Sequence, residues 1–139
     1  MEKQGKEGYV MNTLMRLMFV FMLVFVAGPA FGAEVMQVFN CEMDDEATEE
    51  DATAMSQEWL NAAKKMPGGE NFKTFVSFPV AVTNPGEHDM LFVVVAPSFN
   101  EWGKFWDNYL GSPVEAVDQK YREKIQCPGS ALWEVQRAK

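Results

Sequence analysis

The sequence predicts an α+β fold, with four strands in one antiparallel sheet and helices on one of its faces. Three observations carry that expectation. From residue 34 onward, apolar residues switch between strand-like and helix-like periods in the order strand, helix, strand, strand, helix, strand. Turn and capping residues fall at the boundaries of those segments. The two cysteines of the chain, Cys41 and Cys127, stand at the end of the first strand and just before the last.

Each element has its own local reason. "EVMQVFNCEM", residues 34–43, is rich in β-formers and reads as the first strand. Residues 48–66 read as a helix because Ala52, Met55, Trp59, Ala62, Ala63 and Met66 recur at helical spacing. Thr48 with Asp51 supplies a capping-box start, and Pro67-Gly68-Gly69 supplies a stop. Residues 72–83 read as a second strand, where Pro79 marks an edge or a bulge. "NPGEHD" is a turn, and "MLFVVVAP" is the third strand. Ser98 with Glu101 caps a second helix over residues 99–110, which Gly111-Ser112-Pro113 breaks. Ser112, Pro113 and Glu115 then start a continuation with Val117, Tyr121 and Ile125 along one side. "CPGS" reads as its end, and "ALWEVQ" as a short final strand.

This order is that of a ferredoxin-like split βαβ unit. Right-handed crossovers give the strand order 4-1-3-2. The first and fourth strands are then antiparallel neighbours, which brings Cys41 to Cys127. A bridge between them is expected, with α-carbons about 4.4–6.8 Å apart. In the chain-entropy picture, closing so long a loop stabilises by roughly 4–5 kcal/mol.

The N-terminal stretch has a different character. Residues 17–27 are uninterruptedly apolar, Arg16 precedes them and Gly28-Pro29 ends them. A spanning helix needs about 20 apolar residues, whereas secretory leaders use about 7–15. Ala30 and Gly32 offer small residues at the −3 and −1 positions of a cleavage site. Residues 1–32 are therefore expected to be an N-terminal overhang plus a cleaved signal peptide. Residues 33–139 then form a single mature domain, periplasmic or secreted, with no stable membrane anchor after processing. An uncleaved anchor is the competing reading. Export also places the cysteines where disulfides persist.

Composition narrows the partners. The chain of 139 residues carries a formal net charge of −8. Nucleic-acid binding calls for a basic stripe, and none is present. The acidic run from Glu42 to Asp51 lacks the alternating acids and central glycine of a calcium loop. It reads instead as a solvated loop feeding a helix N-terminus, where carboxylates suit the helix dipole.

The third strand is apolar on both faces. Met90, Phe92, Val94 and Ala96 alternate with Leu91, Val93 and Val95. A sheet with one face in water normally alternates apolar with polar, so the face away from the helices is expected to meet another protein surface, most simply a second copy of the chain. The element order, "MLFVVVAP", the broken helix after "SFNEW" and the closing "ALWEV" resemble the dimeric α/β-barrel superfamily. Antibiotic-biosynthesis-monooxygenase-like and stress-responsive barrel proteins belong to that group. The resemblance spans the mature domain as a layout, without a signature motif. It implies a homodimer whose two sheets pair into a barrel, with a pocket between each sheet and its helices.

Aromatic residues crowd "SFNEWGKFWDNYL". Phe99, Trp102, Trp106 and Tyr109 form a stripe that is either core or the wall of a pocket for a flat ligand. Gly103 either admits a close approach to that helix or weakens it. His88 is the sole histidine and falls in a predicted turn, where it reads as a surface group. Haem ligation, zinc hydrolysis and histidine acid–base chemistry are correspondingly disfavoured. With both cysteines bridged no thiol nucleophile remains, and the dispersed methionines fit core filling rather than a copper site. Asn40 and Glu42 read as a polar strand end. No catalytic residue, cofactor or metal ligand is assigned. Two functions remain open: a homodimeric module binding a small apolar or aromatic ligand, and a cofactor-free oxygenase-like enzyme acting on an aromatic substrate. The second would use polar groups such as Trp102, Tyr109 or Asn108.

Overall fold

A computed structural model describes residues 33–81 and 88–136. The leader expected at residues 1–32 and most of the turn at 84–89 lie outside the described residues. In chain order the elements are β1 (Glu34–Met43), α1 (Glu49–Ala63), β2 (Lys73–Ser77), β3 (Met90–Ala96), α2 (Phe99–Asp107), α3 (Pro113–Tyr121) and β4 (Ile125–Val135).

The helix starts are set by short-range hydrogen bonds. Asp51 N donates to Thr48 Oγ1 at 3.2 Å, and Thr48 N donates to Asp51 Oδ2 at 3.1 Å, closing the capping box of α1. Ser98 and Ser112 accept in the same way from the backbone of Glu101 and Glu115, each at 3.2 Å. Glu115 departs from the expected box in one respect. Its carboxylate passes Ser112 and accepts from Gly111 N at 2.6 Å.

The strands pair antiparallel in the order β2-β3-β1-β4, the 4-1-3-2 order seen from the other edge. Phe39 stands opposite Phe92 on one side and Ser130 on the other. The expected pairing into a barrel is corrected here. β2 and β4 lie at opposite ends of the order and are not neighbours, so the sheet is open. The chain forms one open layer of four strands with one face packed on helices, and it is not closed into a barrel.

Three boundaries also differ from the sequence expectation. β2 stops at Ser77, and beyond Pro79 Val80 is 98% exposed. α3 ends at Tyr121, and Ile125 opens a strand instead of continuing a helix. β4 runs for 11 residues, straight through Cys127-Pro128-Gly129. The long β1 explains this. Its far end pairs Met43 with Ile125 and Glu42 with Gln126, across a register shift between Asn40 and Glu42. Proline is tolerated on an edge strand beside a bulge, so the ladder overrides the local break signal.

At that shift Cys41 and Cys127 are joined by a disulfide. Their α-carbons are 4.0 Å apart, closer than expected because the residues sit across adjacent strands at the irregularity.

The core fills the space between one face of the sheet and the helices. Val35, Phe92, Val94, Trp59, Phe72 and Phe105 are all buried there. The Trp59 ring lies 5.4 Å from both Phe92 and Phe105, and Phe72 lies 4.8 Å from Phe105. Burying such large rings contributes most of the gain from removing apolar area from water. Gly68, at φ 88°, lets the turn after α1 touch the backbone of α2. A β-carbon there would collide with Glu101 O and come within 2.8 Å of Phe105 N.

Alternation along the strands sends the other side chains to the far face. Lys73, Val95, Met36 and Trp133 form one row across it, and Phe75, Val93, Val38 and Ala131 form the next. Phe75 is 52% exposed and Trp133 56% exposed. The set of β3 that faces away from the helices is therefore Leu91, Val93 and Val95.

Candidate functional site

A cavity of about 610 Å³ opens between the helix-bearing face of the sheet and the three helices. That volume lies within the range of small-molecule sites. Its floor is Phe39 and Phe92, which are cross-strand partners with ring centroids 5.8 Å apart. Met55 and Trp59 enter from α1 at the four-residue spacing that puts both on one helix face. Trp106 comes from α2, Tyr109 from the α2–α3 turn, and Asp118 and Tyr121 from α3. Exposed Arg122, Gln126 and Pro128 form part of the rim, together with the bridged Cys127.

Inside this apolar space the polar groups are few, and the two side-chain oxygens nearest each other are paired. Tyr109 Oη donates to Asp118 Oδ2 at 2.6 Å. Burial pushes the Asp118 carboxyl above its ordinary range. Hydrogen bonding from Tyr109 and Trp59 and the charge of Arg122 pull it back only in part. The Tyr109 hydroxyl is also pushed up, first by burial and then by its bond to Asp118. Tyr121 Oη donates to Glu58 Oε1 at 3.0 Å, and Lys120 holds the same carboxylate at 2.8 Å, in a partly exposed cluster beside the cavity lining. Trp106 Nε1 is enclosed and has no partner among the described residues. Its ring packs 5.0 Å from Tyr109 and 5.2 Å from Phe105.

The structure divides the aromatic stripe read from the sequence. Trp106 and Tyr109 line the cavity. Phe99 is 49% exposed. Trp102 turns away, and its Nε1 donates to Gln37 Oε1 at 3.0 Å. The most deeply buried member of α2 is Phe105, which lies off that stripe and anchors the helix in the core. Asn108 donates to Lys104 O at 2.8 Å as a helix-end contact. Gly103 has nothing within 4 Å of a β-carbon position, so no close approach depends on it. His88 is half-buried rather than fully solvated, with Nδ1 enclosed and unpaired among the described residues. Its backbone neighbour Asp89 binds the end of β1, donating to Cys41 O and accepting from Met43 N, which draws this segment against the sheet.

Sequence alone singles out neither Asp118 nor Arg122, and it singles out Trp59 only for the helical spacing of α1. A signal for Asp118 was present, because it stands four residues after Val114 and three before Tyr121. Both of those are buried, so the carboxyl sits within the core-facing stripe of α3.

No protein-family model matches the sequence, and no curated protein matches it. Solved structures do resemble the fold. A protein from Arabidopsis thaliana superposes with a TM-score of 0.54 at 10% identity, over 76% of this chain and 96% of its own. The hydroxynitrile lyase from Passiflora edulis gives a TM-score of 0.52 at 8% identity, over 78% of this chain and 97% of its own. A dimeric ferredoxin-like protein of unknown function from Thermobifida fusca gives 0.46 at 12% identity, over 78% and 97%. At these identities the likeness is one of fold. The chain has the ferredoxin-like arrangement, a four-stranded antiparallel sheet in the order β2-β3-β1-β4.

Proposed function

We propose that this protein is a small-ligand binding domain, taking a mostly apolar or aromatic molecule into the cavity between its sheet and helices. The observation that carries the reading is the cavity itself, about 610 Å³ and walled by Phe39, Trp59, Phe92, Trp106, Tyr109 and Tyr121. Aromatic walls with a few convergent polar groups are the usual makeup of a binding site. Native mass spectrometry of what co-purifies, followed by a thermal-shift screen of small aromatic compounds, tests it. Stabilisation by at least one such compound is expected, and loss of that shift in Trp106→Ala locates it. A complete absence of stabilising compounds counts against the reading.

The same proposal includes a homodimer formed through the far face of the open sheet, where Phe75, Leu91 and Trp133 are exposed. It also includes export, which residues 17–27 support as a short apolar leader. The Cys41–Cys127 bridge suits an oxidising compartment. Intact-mass measurement of exported protein should show a chain starting near Ala33. Material retaining the leader in the membrane fraction refutes cleavage.

The oxygenase-like reading keeps one foothold, because Tyr109 and Asp118 put a hydroxyl and a carboxyl together inside an apolar cavity. Consumption of oxygen during turnover of a bound phenol would favour it. Trp102 and Asn108 give it no support, since Gln37 and Lys104 already occupy their polar groups.

A further inference from the structure

We propose that the ligand of this cavity is a small organic cation with an apolar body, such as a quaternary or tertiary ammonium. The inference rests on the cavity being a ligand site and names the chemical class of its occupant. Two features of the wall, taken together, select for positive charge. The first is the density of π-faces: two tryptophans, two tyrosines and two phenylalanines surround one space. A cation over such faces is attracted by the ring quadrupoles, most strongly where water is excluded.

Aromatic walls alone would serve a neutral hydrocarbon equally well. The second feature, Asp118, breaks the tie. Its carboxyl lines the same cavity and is held in place by Tyr109 Oη at 2.6 Å. Among the described residues the ion pairs are Lys73–Glu34, Lys120–Glu58 and Lys124–Asp51, so Asp118 belongs to none of them. Arg122 follows four residues later, at the C-terminal cap of α3, and is exposed at the rim. A neutral apolar ligand would strip more water from the carboxylate and return nothing. An ammonium would offset that desolvation with a charge of opposite sign. The half-exposed Glu58 is already engaged by Lys120 and Tyr121, and Arg122 acts on Asp118 only from the exposed rim, which leaves Asp118 as the carboxylate the cavity itself presents. The excess of acidic residues, net −8, favours the approach of a cation over that of an anion.

A pair of probes with one shape and different charge tests this directly. Phenyltrimethylammonium and tert-butylbenzene differ by a nitrogen cation in place of a carbon, and quenching of the cavity tryptophans reports the binding of each to the purified protein. The cation is expected to bind roughly tenfold or more tightly than the hydrocarbon. Asp118→Asn keeps an oxygen acceptor for Tyr109 and removes the charge. It should weaken the cation by about tenfold and leave the hydrocarbon no weaker, because the cost of desolvating the charge is gone. Equal affinity for the two probes, or tighter binding of the hydrocarbon, overturns the cation assignment and leaves the cavity as an apolar site. A preference for the cation that survives Asp118→Asn overturns the role of this carboxylate. Failure of both probes to bind, up to the solubility of tert-butylbenzene, overturns the ligand reading along with the inference. The wild-type comparison stands without the variant, so a folding defect in Asp118→Asn does not rescue the proposal.

Discussion

Asp118 shows how one side chain can oppose its own fold while equipping its cavity. Its folded carboxyl holds a proton more tightly than its ordinary value near 3.8 allows. Between that value and the higher folded one, the folded state binds a proton that the unfolded chain releases, so stability falls as pH rises through the window. Asp118→Asn should therefore melt higher than the wild type at neutral pH, with the gain fading below about pH 4. Thermal melts at several pH values check this. Asp51 and Glu58 act with the opposite sign. Lys124 and the Thr48 cap lower the first, and Lys120 and Tyr121 lower the second, so their support is lost as pH falls. The glycines separate equally cleanly. Gly103→Ala in the open middle of α2 should stabilise by about 0.5–1 kcal/mol, whereas Gly68→Ala should destabilise because its β-carbon meets the α2 backbone. At this scale the sequence disclosed Trp106 and Tyr109 through sheer aromatic density. It hid Asp118, whose meaning depends on which face of α3 points inward.

The elements were legible where their causes are local. Thr48, Ser98 and Ser112 each accept from a backbone N–H three residues on, so spacing alone locates all three helix starts. Thr48→Ala should cost about 1 kcal/mol in denaturant melts. Legibility failed where the cause is a neighbour distant in sequence. Cys127-Pro128-Gly129 is a stop signal by composition, and only the reach of β1 as far as Met43 makes it part of a strand. α2 was legible in part: Trp102, Trp106 and Tyr109 of the stripe pack against the core, Phe99 is exposed, and the most deeply buried ring, Phe105, lies off it. The bridge was legible because strand order alone makes β1 and β4 neighbours. Replacing Cys41 and Cys127 by serine should lower the unfolding free energy by an amount approaching roughly 4–5 kcal/mol, seen as a lower melting temperature, and leave the far-ultraviolet dichroism recognisable.

At the scale of the whole molecule, one layer of helices leaves half of the sheet unclaimed. Val93 lies in the middle of that far face, between Phe75 and Val38. Val93→Glu should therefore disperse a dimer before it disturbs the monomer's secondary structure, as light scattering and dichroism measured together would show. A wild-type monomer at micromolar concentration would remove the dimer from the proposal. Strand order followed from connectivity and handedness and was correctly anticipated. Closure into a barrel was expected from a resemblance of layout, and among the described residues the sheet is open, with β2 and β4 at its edges. One feature joins the edge to the interior, because Cys127 both fastens β4 to β1 and stands at the mouth of the cavity. For the proposed ligand, occupancy and redox state would be thermodynamically linked. If cutting the bridge weakens binding, then by reciprocity a bound ligand makes the bridge harder to reduce by the same free energy. Titration with dithiothreitol, with and without a saturating ligand, would measure that coupling.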